Sequence, residues 1–170
     1  MKLTHDVTFT FDLELPQPQA VDFVRDVEIS LSRADFIEGL DVQIGQPSIV
    51  SASLPVNAAL FGQQLLHFES ELIHTAKGAK LKPLPLETDH FGWAEVAGEA
   101  TVSTAPAGSQ VCYQFDITIH LQLPKAEKWG GQALTRMIEF TAQHVLETIT
   151  SNFPGAVQEA AREAEARYAA

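Results

Sequence analysis

Six histidines, one cysteine and 22 acidic residues among 170 positions offer raw material for metal, nucleophilic or acid-base chemistry, so spacing must decide between them. A zinc-type site needs His, Cys or carboxylate ligands gathered on one face at short intervals. His67 and His74 lie on one extended stretch an odd number of residues apart, which turns them to opposite faces of a strand, and no further ligand stands at a chelating interval from them. No metal and no cofactor are expected. His67, His90, His120 and His144 read as solvated surface. His74 differs because it shares a face with Leu66, Phe68 and Leu72. It is either a polar fixed point inside a cavity or a hydrogen-bonded histidine at a sheet's rim.

The remaining candidates point away from catalysis. Cys112 falls on the polar side of its stretch with no helix start or histidine placed to lower its pKa, and reads as an inert thiol. Ser, His and Asp are present, but no nucleophile elbow accompanies them. Glu69 with Glu71, and Glu95 with Glu99, belong to the solvent-facing alternation, and Gly130-Gly131 lacks the lysine and strand context of a phosphate loop. More suggestive are the small residues Ala94, Gly98 and Ala100 beside Val96. Facing a helix, they would either leave a space that Phe68, Phe115 and Ile117 cannot fill or let that helix approach closely. From the helix, Met137, Ile138 and Thr141 would line such a space, with Thr141 as an orienting polar group.

The elements that would position these residues follow from periodicity. Val7, Phe9, Phe11, Leu13 and Leu15 alternate with Thr8, Thr10, Asp12 and Glu14, a half-buried strand. Two short helices follow, around Ala20 to Val24 and Ile29 to Ile37, separated by Asp26-Val27-Glu28. Strands are expected over Leu40 to Ile44, Pro47 to Val56 and Phe61 to Ala76, with Pro55 marking an edge or a bulge. Leu81, Leu84 and Leu86, interrupted by Pro83 and Pro85, suit an edge or rim. Gly92 to Thr104 and Gln110 to Leu123 form a hairpin, stopped by Pro124. The hairpin leads to a long amphipathic helix over Gln132 to Asn152, with Leu134, Ile138, Ala142, Val145 and Ile149 at helical spacing. After a turn at Phe153-Pro154-Gly155, a last helix runs from Ala156 to Ala169 with the stripe Val157, Ala161, Ala164 and Tyr168.

Composition narrows the partners. A net charge of −11 repels phosphate backbones and anionic lipid surfaces, so nucleic acid is not an expected partner. No stretch is apolar enough for stable membrane insertion, the start of the chain lacks the apolar core of a signal peptide, and a single cysteine suits a reducing cytoplasm. The expected location is cytoplasmic. Phe140 falls on the polar side of the long helix and calls for a cover. The last helix could supply it within the chain or from a symmetry-related copy, giving a homodimer through the Phe140 face, or remain a solvated tail.

The order strand, two short helices, about six antiparallel strands and a long closing helix resembles the helix-grip fold of the START-like, Bet v 1-like superfamily, also called SRPBCC. Its carbon-monoxide-dehydrogenase-associated and polyketide cyclase/dehydrase branches look nearest. The residues carrying this are Ala20-Val21-Asp22-Phe23-Val24-Arg25-Asp26-Val27-Glu28, similar to the family's first helix and following break, with Val27 where the family has proline. Ala97-Gly98-Glu99-Ala100-Thr101-Val102 and the run from Val111 to Leu123 into Trp129-Gly130-Gly131 complete the likeness. The resemblance implies an α+β fold, a curved antiparallel sheet of six to seven strands wrapped around the long helix. Residues 1–153 would form a single helix-grip domain and 154–170 a C-terminal helical extension. It also implies a cavity between sheet and long helix that holds an apolar ligand; with no convincing catalytic set in the sequence, the expectation is non-enzymatic binding of a small apolar or amphipathic molecule, lipid-like or polycyclic. A cyclase or hydrolase-type enzyme using His74 or Tyr113 as acid-base, or a ligand-free assembly factor, are the alternatives.

Overall fold

The computed structural model describes residues 1–57, 62–86, 91–122 and 131–169. Phe61, His90, Leu123, Pro124, Trp129 and Gly130, which carried parts of the expectations above, lie outside them. The element order is β1 (Lys2–Leu13), α1 (Gln17–Arg25), α2 (Val27–Ser30), β2 (Glu38–Gln43), β3 (Ser48–Asn57), β4 (Gln63–Thr75), β5 (Gly78–Leu84), β6 (Gly92–Ala105), β7 (Gly108–Leu121) and α3 (Gly131–Ala169). This is an α+β helix-grip fold: the strands form one curved sheet in the order β1-β7-β6-β5-β4-β3-β2, antiparallel along every main ladder. The alternation expected on each strand is what the register serves. Phe9 stands opposite Tyr113 and Val7 opposite Phe115 across β1 and β7, so each aromatic finds an apolar neighbour on the concave face.

Proline positions make sense once the ladders are known. Pro55 lies beyond Ser53, the last β3 residue that β2 reaches, so no β2 bond is lost. The segment around Leu81 to Leu84 was expected at an edge, yet β5 is the middle strand. Its pairing with β6 stops at Leu81, while β4 continues to pair through Pro83 and Leu84. Pro83 therefore has a free side toward which its missing N–H does no harm. Past that point β4 and β6 meet directly at His67 and Trp93, and the buried Ser70 hydroxyl donates to Val96 O at 2.7 Å.

The helix is the main departure. The turn expected at Phe153-Pro154-Gly155 does not occur: α3 runs for 39 residues through Pro154. An internal proline removes one helical hydrogen bond and costs about 3 kcal/mol. What offsets it is the burial of Phe153, Val157, Ala160, Ala161 and Ala164 immediately around and after it. Val157, Ala161 and Ala164, which the sequence offers as part of a separate stripe, join Phe153 and Ala160 to continue the apolar face of Ile138, Ala142, Leu146 and Ile149, while Tyr168 of that stripe is exposed. The C-terminal half is held from outside by Glu165, whose Oε1 accepts from Glu14 N at 2.8 Å, and by an Arg33–Glu163 ion pair. A fold-back of the last helix onto Phe140 within the chain is thereby corrected, since one continuous helix cannot cover its own face. Phe140 is 75% exposed.

Candidate ligand-binding site

The concave face divides into a filled part and an open part. Over β1 and β7 the rings of Phe9, Phe11, Tyr113 and Phe115 stack in a near-parallel ladder. Phe153 of α3 sits across it, 4.6 Å from the Phe115 centroid, 5.9 Å from Phe9 and 5.8 Å from Phe36. Ala94, Val96, Ile117, Phe68 and Ile138 are all buried in the same core.

The open part lies beneath α1 and α2. A groove of about 400 Å³ runs between α1–α2 and the ends of β2, β3 and β4. Its apolar lining is Val27, Val42, Ile44 and Leu72, and its polar lining is Asp22, Arg25, Asp26, Glu28, Ser48 and His74. Behind it is a narrower crevice of about 20 Å³, with room for about one water-sized group. Val24, Val27, Ser30 and Leu31 line it from the helices and the end of α2, and Leu72, Ala79, Lys80, Leu81, Gly98, Glu99, Ala100, Tyr113 and Phe115 from the sheet. Val27 and Leu72 line both spaces and so form the wall between them.

Local sequence explains this placement. Asp26 separates the two helices, caps the second by accepting from Ile29 N at 3.1 Å, and lets α2 start at a new angle. Arg25 then anchors the pair to the sheet: Nη2 donates to Thr75 O at 2.6 Å and Nε to Gly78 O at 3.1 Å, both in the β4–β5 turn. A single arginine closing a short helix was the available signal for this role, and sequence reasoning passed over it.

The residues expected to line a site part company in the fold. His74 is exposed at the groove's edge, so it takes the rim position and not the interior one. Gly98 and Phe115 reach the crevice, whereas Phe68, Ala94, Val96, Ile117 and Ile138 line neither space. Gly98 owes its smallness to Phe115: a Cβ there would meet the ring at Cδ1 and, 2.7 Å away, at Cε1, with Gln114 O at 3.1 Å. The close approach is thus between neighbouring strands and not between helix and sheet. Met137 is 53% exposed on the outer side of α3, and the Thr141 hydroxyl donates to Met137 O at 2.9 Å within the helix, leaving it no orienting role. Neither space takes a lining residue from α3, so the open volume expected between sheet and long helix lies under the short helices instead.

Lys80 and Glu99 line the crevice but are exposed residues; the polar side chains buried in it are two hydroxyls, Tyr113 and Ser30. Tyr113 is fully buried, and its hydroxyl has no hydrogen-bond partner among the described residues. Burial raises its pKa above the ordinary tyrosine value; Ser30 lies near enough to oppose this slightly, but makes no well-formed hydrogen bond to it. The Ser30 hydroxyl itself has only a long bond, 3.5 Å, to Val27 O. Tyr113 therefore stays a neutral donor through the neutral pH range.

His67 and His120 lie on the convex side of the sheet. His67 Nδ1 is 3.3 Å from Ser53 Oγ, and its Nε2 is 3.7 Å from Glu69. His120 is less solvated than expected, pairing with Glu95 at 3.0 Å and stacking on Trp93 at 4.0 Å between ring centroids. Among the described residues no three His, Cys, Asp or Glu side chains gather in a metal-binding group, and no helix is long and apolar enough to cross a membrane.

Comparison with solved structures supports the architecture. The di-domain ARO/CYC BexL from the BE-7585A biosynthetic pathway superposes with a TM-score of 0.54 at 17% identity, over 94% of this chain and 50% of that one. The chain thus spans about half the length of that protein. The Zhui aromatase/cyclase from Streptomyces sp. R1128 superposes with a TM-score of 0.51 at 16% identity, over 95% of each chain. At such identities the likeness is one of fold. No curated protein sequence matches significantly. The model of a family described as a protein of unknown function, DUF3809, matches residues 8–151, most of the chain, and the protein belongs to that family.

Proposed function

We propose that the protein binds a small, largely apolar ligand in the groove beneath α1 and α2, as a binding module and not as a catalyst. The observation that carries this is the groove itself: a volume of about 400 Å³, an apolar floor of Val27, Val42 and Leu72, and Ile44 overhanging it with 93% of its surface exposed. Pockets for small organic molecules fall in this size range and combine apolar walls with few polar groups. An isoleucine so exposed gains about 1 kcal/mol or more when a ligand covers it. Likeness of fold to two aromatase/cyclases supports a small-molecule site. Against catalysis stand the two side chains an acid-base mechanism would use. Tyr113 keeps its proton and cannot serve as a base near neutrality, and His74 sits exposed at the rim.

Titration with the uncharged fluorophore N-phenyl-1-naphthylamine tests the proposal. Saturable binding is expected, weakened about fivefold or more by Ile44→Asp at unchanged thermal stability, because Ile44 has almost no packing to lose. Absence of saturable binding to folded protein, or equal affinity of the variant, would refute it.

A further inference from the structure

Resting on the groove reading, we propose that the ligand is uncharged and carries a hydrogen-bond-accepting oxygen on a slim arm, which passes between Val27 and Leu72 to meet the Tyr113 hydroxyl. The crevice admits about one water-sized group, so a carbonyl oxygen fits where a ring does not. At its inner end is a buried donor without a partner, a state that costs free energy until an acceptor arrives. Ser30 Oγ, held only by its long bond to Val27 O, lines the same crevice and can turn to a second lone pair of that oxygen.

Charge at the mouth selects further. Asp22, Asp26 and Glu28 line the groove, and against them stand Arg25 and His74. Arg25 has already committed Nε and Nη2 to Gly78 O and Thr75 O. A carboxylate ligand would enter past three acidic side chains and meet two neutral hydroxyls at the far end, which cannot replace its hydration. An uncharged aromatic ketone, quinone or ester meets no such barrier. Its apolar body would rest on Val42, Ile44 and Leu72 while its oxygen accepts from Tyr113.

Three probes of matched size separate the parts: 2-acetylnaphthalene, 2-ethylnaphthalene and 2-naphthoate, followed by equilibrium dialysis against the wild-type protein and Tyr113→Phe. The ketone should bind wild type most tightly and lose about tenfold in the variant, while ethylnaphthalene changes less than twofold and naphthoate binds weakest to both. Ethylnaphthalene binding as tightly as the ketone to wild type, or a ketone indifferent to Tyr113→Phe, would overturn the inference and leave the groove standing. Naphthoate binding tightest would overturn it through its charge argument. No binding by any probe would bring down both readings. The wild-type comparison of ketone with ethylnaphthalene holds independently of how the variant folds.

Discussion

Replacing Phe153 by alanine tests the central packing claim, because the sequence places this residue in a turn while the structure makes it the contact between helix and sheet. The ring is 3% exposed and lies within 4.6 to 5.9 Å of the Phe115, Phe36 and Phe9 centroids. Removing a buried phenylalanine forfeits transfer free energy and leaves a cavity, together about 3 to 5 kcal/mol. The stacked ladder beneath cannot collapse into that cavity without breaking strand register, so the upper part of the range applies. Phe140→Ala on the same helix is the control: at 75% exposure it should change stability by less than about 0.5 kcal/mol. In urea, with a slope of about 2 kcal/mol/M, Phe153→Ala should lower the midpoint by roughly 2 M. Thermal denaturation should fall by about 10 °C or more. A loss below about 1 kcal/mol, or equal losses in the two variants, would show that α3 does not grip the sheet through Phe153. Sedimentation of Phe140→Ala also tests the homodimer expected from sequence, since a fall in mass would place that contact on the Phe140 face.

Two further outcomes are expected. Gly98→Ala should destabilise by about 1 to 3 kcal/mol in urea denaturation, because the new Cβ displaces the Phe115 ring from its seat; a neutral result would refute the close packing assigned to that pair. Above pH about 10 the unfolded chain releases the Tyr113 proton while burial retains it in the folded one, so the unfolded state binds fewer protons and stability falls as pH rises. Tyr113→Phe should lack this alkaline loss and be somewhat more stable at neutral pH, and identical alkaline profiles for the two proteins would contradict the burial.

What was legible in the sequence is what a period of two dictates. Val7 to Leu13 and Val111 to Leu121 have one apolar face each, so the strands and the hairpin follow from pattern, whereas the pairing of β1 with β7 joins distant parts of the chain. The order of elements carried the fold. Position within the sheet was less legible: Pro83 argued for an edge because the point where β6 leaves β5 depends on long-range pairing. Pro154 misled for a related reason. Local chemistry favours a break at Pro-Gly, and only the burial of Phe153 and Val157 against distant strands outweighs it. At the site, His74 and the small residues were visible but their shared face was overread, since concave faces hold core and pocket alike. Arg25 and the unpaired Tyr113 hydroxyl depend on what stands opposite, which spacing does not encode.

Why the open space lies under the short helices follows from unequal cover. Over β1 and β7 the sheet presents four stacked aromatics, and a helix of 39 residues with Phe153 at the contact covers that half except where Tyr113 and Phe115 border the crevice. Over β4, β5 and β6 it presents smaller groups, Ala79, Leu81, Gly98 and Ala100, and the cover is α1 and α2, of nine and four residues. Helices this short bury too little to be held by packing alone, hence the added tether from Arg25 to the Thr75 and Gly78 carbonyls. The same tether that fixes the α1 end leaves α2 and Val27 held chiefly by the Asp26 cap and by apolar contact. Of the two wall residues Val27 therefore rests on the weaker element, a helix of four residues, whereas Leu72 is paired on both sides, with Ser48 of β3 and Leu81 of β5.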